Sequence, residues 1–232
     1  MTRLLDKSPH PRELWTKFNQ ETFQETHHIV FGSPVSRTDA VLTRSLSPVT
    51  GEQTTQREIT IYLKKHPKIE STALDLIHEL VHAVLSKPLD PYTPDLNLRG
   101  YITQTLEGPG GEIEAVYSEC QFLKDQAWEN KKDSRCERYL NKLSRAQIRA
   151  DFYRVGEHKK MLDAHTLKIP ITSSAPIFIS STGNAPYPVA LYYEYQEINR
   201  QACENARRRI ASTQDSEASA MIQARCVSHR KE

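Results

Sequence analysis

Residues 71–85 carry a helical repeat so apolar that it admits few environments. Leu74, Ile77, Val81 and Val84 recur on one face, while Leu76, Leu80 and Ala83 cover much of the remainder. A helix apolar on most sides belongs in an interior. Yet His78, Glu79 and His82 interrupt this one, and a polar group buried without a partner costs about 1–3 kcal/mol. Thr72 reads as the N-cap, with Asp75 three residues on as its capping-box partner, and Pro88 marks the end.

The elements around this helix follow from simpler signals. Pro11 stands where an N1 proline would, and Leu14, Trp15, Phe18, Thr22 and Phe23 recur at helical spacing, so a first helix leads into short strands at His28 to Phe31 and Ala40 to Leu42. Glu58 to Leu63 (EITIYL) alternates polar and apolar residues and is the clearest strand in the chain. After a proline-bearing loop from Lys87 to Leu98 and the GPGG at Gly108 to Gly111, helical spacing resumes through Ile113, Val116, Cys120, Leu123 and Ala127. Further helices are expected between Ser134 and Asp163, a strand at Ile177 to Ile179, and a long helix from Tyr187 to Ile210 with a basic end at Arg207 to Arg209. The expected class is α+β and mostly helical, with a small N-terminal antiparallel or mixed sheet packed on a central helix. A single domain spans 1–232, with the sheet and main helices in 1–130 and a helical part in 131–232.

The polar interruption spells His78-Glu79-Leu80-Val81-His82, an HExxH pattern. Residues four apart on a helix stand one turn above the other on the same face, so both imidazoles can reach one cation. Glu79 lies about 100° round the helix. From there it can take a proton from a water held on the open side of the metal. Two ligands and a general base thus come from five residues, and a third ligand must come from elsewhere. The plain alternative is a pair of satisfied histidines on the edge of an amphipathic helix, but the apolar surroundings argue against it.

The stretch Leu76-Ile77-His78-Glu79-Leu80-Val81-His82-Ala83 resembles the active-site helix of HExxH zinc metallopeptidases, and among them the gluzincins, whose third ligand is a glutamate on a later helix. The strand Glu58 to Leu63 resembles the edge strand that lines their substrate cleft. The resemblance covers residues 57–128. No second glycine-histidine follows His82, as metzincins require, and no GTxD appears, as aspzincins require. The size also resembles that of small HExxH domains in bacterial effectors and toxins. The resemblance implies a Zn²⁺ cofactor, peptide-bond hydrolysis and a protein or peptide substrate. It also implies a tyrosine, histidine or arginine that stabilises the oxyanion, for which Tyr92, Tyr101, Tyr192, Tyr193 and Tyr195 are candidates.

Three carboxylates after GPGG compete for the third ligand: Glu112, Glu114 and Glu119. Glu112 and Glu119 border the buried stripe, whereas Glu114 points nearly opposite Val116. Packing favours Glu112, and similar families place an alanine three residues after the ligand, as Ala115 is here. In favour of Glu114, the run Glu114-Ala115-Val116-Tyr117-Ser118 resembles the gluzincin ExxxD pattern with Ser118 in place of the aspartate.

Composition narrows the remaining classes. Lys plus Arg is 31 and Asp plus Glu is 29, too even a balance for a phosphate-neutralising nucleic-acid binder. No run approaches the roughly 18 apolar residues of a membrane span. Met1 to Asp6 lacks the apolar core of a signal peptide, so the expected location is cytoplasmic, or outside the cell by a dedicated secretion system. Cys120, Cys136, Cys203 and Cys226 include no CxxC, and the absent export signal favours reduced thiols, with Cys120 serving as a small apolar residue. His27-His28, His66, His158 and His165 read as surface histidines. The functional expectation is a zinc metallopeptidase with His78, His82 and Glu112 as ligands and Glu79 as base. A catalytically inactive or regulatory binding protein on the same scaffold is the alternative, and a metal enzyme of another reaction a third.

Overall fold

Strand β3 (Gln53–Lys64) is the middle of a three-stranded sheet ordered β1-β3-β2. Its alternating sequence places Ile59, Ile61 and Leu63 on one face, where each is fully buried. Each such side chain contributes about 1.5–3 kcal/mol of burial. β1 (Glu25–Ser33) runs parallel to β3, with Ile29 opposite Ile61, and β2 (Arg37–Leu46) runs antiparallel, with Thr38 opposite the same residue. The parallel register breaks between Phe31 and Ser33, where Gly32 adopts φ 89°, a conformation that favours glycine.

The computed structural model describes residues 5, 8–20, 22, 25–47, 49–50, 52–87, 89–91, 96–128, 134–181, 183–212 and 226. Phe23, Tyr92, most of the segment Met1–Asp6 and parts of the 87–98 loop lie outside them. The chain partitions into two compact units, Met1–Pro88 with Thr105–Arg149 and Leu89–Gln104 with Ala150–Glu232, where the sequence suggested one domain divided near residue 130.

In the first unit, α1 (Pro9–Phe18) begins one turn's fraction earlier than expected, with Pro9 rather than Pro11 at N1 and Ser8 as N-cap. The central helix α2 (Ile69–Leu85) is buried almost continuously from Ala73 to Ala83 because the sheet, α1 and α4 (Glu112–Asp125) all pack on it. Its capping differs from expectation. The helix starts three residues before Thr72, with Lys68 as N-cap and no side-chain cap. Asp75 instead accepts from the Ser36 hydroxyl and lies 2.8 Å from His66 Nε2, tying the β1–β2 connection to the helix. His27, expected at the surface, stacks on Phe18 at 4.7 Å, while His28 is exposed.

A second correction concerns β3. It is flanked on both sides and so is no edge strand. The edge beside α2 belongs to β2, whose Thr38 hydroxyl donates to the Glu79 carbonyl at 3.1 Å. The alternation of β3 identified a strand with one buried face and carried no information about its neighbours.

The cysteines are paired, contrary to the reduced state expected: Cys120 with Cys136 in the first unit and Cys203 with Cys226 in the second. The second unit contains the start of α3 (Leu98–Glu107), the end of α5 (Arg145–Phe152), α6 (Lys159–Ala164) and α7 (Tyr187–Ser212). Phe152 stacks on Phe178 at 3.9 Å and meets Tyr187 edge-on. The strand expected at 177–179 is reduced to one bridge, Ile179 to Pro186. α3 is absent from the sequence expectation because Tyr101, Ile102 and Leu106 make a sparse stripe and Gly100 sits in its first turn. The whole is the mostly helical α+β fold with a small mixed sheet, and no described helix is long and apolar enough to cross a membrane.

Ile61→Ala is expected to cost about 2–5 kcal/mol of unfolding free energy in a denaturant titration, since it empties the contact between β3 and α2. A loss below 1 kcal/mol would contradict the packing described.

Candidate metal centre

The i, i+4 spacing in α2 stacks His78 and His82 with ring centroids 4.8 Å apart and brings their Nε2 atoms to 3.1 Å. Glu112, the first residue of α4, faces them from across the helix pair. Its Oε2 lies 3.4 Å from His78 Nε2 and its Oε1 lies 3.6 Å from His82 Nε2. Taking one donor atom from each residue, all three lie within 4.8 Å of one another. Ligands at about 2.0–2.2 Å from a tetrahedral ion stand about 3.3 Å apart. The cluster is therefore of a size to hold a metal ion, and both imidazoles present the same nitrogen to it.

The opposite ring nitrogens are engaged as well. His82 Nδ1 lies 2.7 Å from the Gly110 carbonyl oxygen, which also accepts from the Ser86 hydroxyl at 2.8 Å. His78 Nδ1 lies 3.3 Å from Glu119 Oε2 and 2.9 Å from Arg135 Nη2. Arg135 Nε donates to both Glu119 oxygens, at 3.1 and 2.8 Å, and its Nη2 donates to Oε2. With Nε2 facing a metal, the Nδ1–H of His82 donates to the Gly110 carbonyl, which fixes its tautomer; beside His78 Nδ1 stand both an acceptor, Glu119, and the Arg135 guanidinium, which can only donate.

The three candidate carboxylates thus have three different partners. Glu112 meets the two Nε2 atoms. Glu114 Oε2 accepts from the Gly110 N–H at 2.9 Å, closing the turn that precedes α4. Glu119 backs His78.

Glu79 is buried beside this cluster, and its Oε2 accepts from Thr38 Oγ1 at 2.8 Å. Burial, the largest influence, raises its carboxyl above the usual value against the lowering effect of the His78 and His82 charges and the Thr38 bond. In the chain alone, burial and Arg135 press His78 toward neutrality. The bonds and charge of Glu112 and Glu119 outweigh them and raise it to about 9. Burial would raise Glu112, but the charges of His82, His78 and Arg135 bring it down to about 2. Glu119 is lowered too, against burial, by Arg135 and His78.

Sequence reasoning missed Thr38, Gly110 and Arg135, which reach the site from β2, the GPGG turn and the segment before Cys136. Only the glycines carried a signal. Gly110 has φ 69°, and a Cβ there would sit 2.3 Å from the Ser86 nitrogen. Of the tyrosines considered for an oxyanion role, Tyr101 and Tyr195 pair their rings at 5.8 Å in the second unit, where Tyr195 also donates to the Leu96 carbonyl. No protein-family model, curated protein or solved structure matches the chain.

Gly110→Ala combines a disfavoured backbone angle with a clash against the end of α2. It is expected to lower stability by at least about 1 kcal/mol. An unchanged denaturant midpoint would show that the turn does not approach α2 as closely as described.

Proposed function

We propose that the chain is a zinc-dependent metallopeptidase of gluzincin type, with His78, His82 and Glu112 as ligands and Glu79 as general base. The observation that carries this reading is the convergence of two imidazole Nε2 atoms and one carboxylate at the mutual spacing of a tetrahedral ligand set. A His₂Glu set suits zinc, and each histidine has a partner on its far nitrogen, the arrangement that supports a ligating imidazole.

Bound zinc supplies Lewis acidity, polarising a carbonyl and lowering the pKa of water. The chain's own residues do the rest. Glu79 takes the proton of the attacking water and returns it to the leaving amine. A carboxyl raised by burial is closer to the affinity that such a two-way transfer needs, and Thr38 holds it in place through the bond to Oε2. β2, which carries Thr38, has no partner on its outer edge among the described residues, and an unpaired edge offers backbone groups to an extended peptide. That supports a protein or peptide substrate.

The two disulfides support a working location outside a reducing cytosol. Of the two locations expected from sequence, they favour the exported one.

Elemental analysis should find about one zinc per chain, lost in His78→Ala, His82→Ala and Glu112→Ala and kept in Glu114→Ala. Glu79→Gln should retain the metal and lose about 10²–10⁴-fold in cleavage rate, read as new protein termini in a substrate mixture. A metal-free wild-type chain would end the reading. Zinc without any new termini would leave a binding protein on a metallopeptidase scaffold.

A further inference from the structure

We propose that Ser86 is a positioning residue for the ligand set: its hydroxyl pins the Gly110 carbonyl behind His82 and anchors the turn from which Glu112 starts. This inference rests on the reading of His78, His82 and Glu112 as a metal site, and adds to it a residue outside the HExxH pattern that links two of the ligands.

The geometry is a second use of the helical period. Ser86 follows His82 by four residues, at the C-cap of α2, so the two side chains stand one turn apart on the same face. His78 and His82 bring their Nε2 atoms together from successive turns; His82 and Ser86 converge in the same way on one carbonyl. Gly110 O lies 2.7 Å from His82 Nδ1 and accepts from the Ser86 hydroxyl at 2.8 Å. A carbonyl oxygen has two lone pairs, and these two donors occupy both. Ser86 is itself held. Its N–H donates to the His82 carbonyl at 3.2 Å, and its own carbonyl accepts from Arg57 Nη2 at 3.3 Å, a cation placed where the dipole of α2 favours one. Arg57 in turn pairs with Glu25.

So close an approach requires glycine at 110. A Cβ there would stand 2.3 Å from the Ser86 nitrogen, 2.6 Å from its Oγ and 2.7 Å from the Leu85 carbonyl carbon. Two effects then reach the ligands. The Gly110 oxygen keeps the proton of His82 on Nδ1 and leaves Nε2 for a metal, and a carbonyl that swings away gives up that hold. Gly110 also stands two residues before Glu112, the first residue of α4, and its N–H donates to Glu114 Oε2 on that helix at 2.9 Å. One residue of the turn is thus fastened to α4 through its nitrogen and to α2 through its oxygen. Without the Ser86 hydroxyl, the donor left from α2 is the His82 ring. The ring would then have to hold in place the carbonyl that orients it.

The test uses the full, disulfide-bonded chain with zinc ion alone as the probe, and reads affinity by competition with a chromophoric chelator. Ser86→Ala should weaken zinc binding about 2–10-fold, the worth of one hydrogen bond. Ser86→Thr should restore it, since threonine keeps the hydroxyl and adopts the extended backbone found here, φ −69° and ψ 133°. In zinc-loaded chain isotope-labelled at histidine nitrogen, the Nδ1 proton of His82 should exchange with water faster in Ser86→Ala than in wild type, a change that a general loss of stability does not produce. Circular dichroism checks that each variant is folded. Unchanged affinity in Ser86→Ala, a fall that Ser86→Thr does not reverse, or an unaltered exchange rate at His82 would each overturn the positioning role. A wild-type chain that binds no zinc would overturn the metal site itself, whereas zinc binding indifferent to Ser86 overturns this inference alone.

Discussion

The two imidazoles of α2, His78 buried and His82 half-buried, each have two ring nitrogens, and neither can be left without a partner at low cost. Much of the first unit follows from that constraint. α4 supplies a carboxylate to the Nε2 pair and a second one behind His78, the GPGG turn supplies a carbonyl behind His82, and β2 supplies a hydroxyl to Glu79. The apolar layer of β3 and α2 backs the site, and the low dielectric of that layer makes each polar pairing consequential.

The role of α4 is concentrated in its helical period. Glu112 and Glu119 are seven residues apart, about two turns, and so share one face of the helix. They address opposite nitrogens of the same ring, His78. One rigid element therefore places both the carboxylate that meets the Nε2 pair and the one behind His78. Between them stands Glu114, turned the other way and engaged with the backbone of Gly110. Glu112 is drawn well below the usual carboxylate range and His78 well above the usual imidazole range, and the two side chains stand 3.4 Å apart.

What was legible in the sequence was local. HExxH on an apolar helix, the alternation of β3 and the stripe of α4 each declare themselves within a few turns of chain, and the structure contains all three elements. The choice among Glu112, Glu114 and Glu119 was only partly legible, because a helical wheel gives a residue's direction and not the partner it meets. Arg135 and Thr38 carried no signal, being brought to the site by tertiary folding from 57 and 41 residues away along the chain. The start of α2 was misplaced because Asp75 is drawn to Ser36 and His66, a competition invisible to a capping rule. Cysteine pairing depends on which segments lie side by side, and spacing alone does not encode that.

The strand order has a consequence for how the molecule comes into being. β1 and β2 are consecutive in the chain but do not pair with one another; the third strand to emerge is inserted between them. A nascent chain ending before residue 53 therefore holds both outer strands with nothing to bond to, and no hairpin can form early to reduce the entropy of later steps. During synthesis the sheet and α2 mature nearly together, because the strand that completes one leads directly into the other.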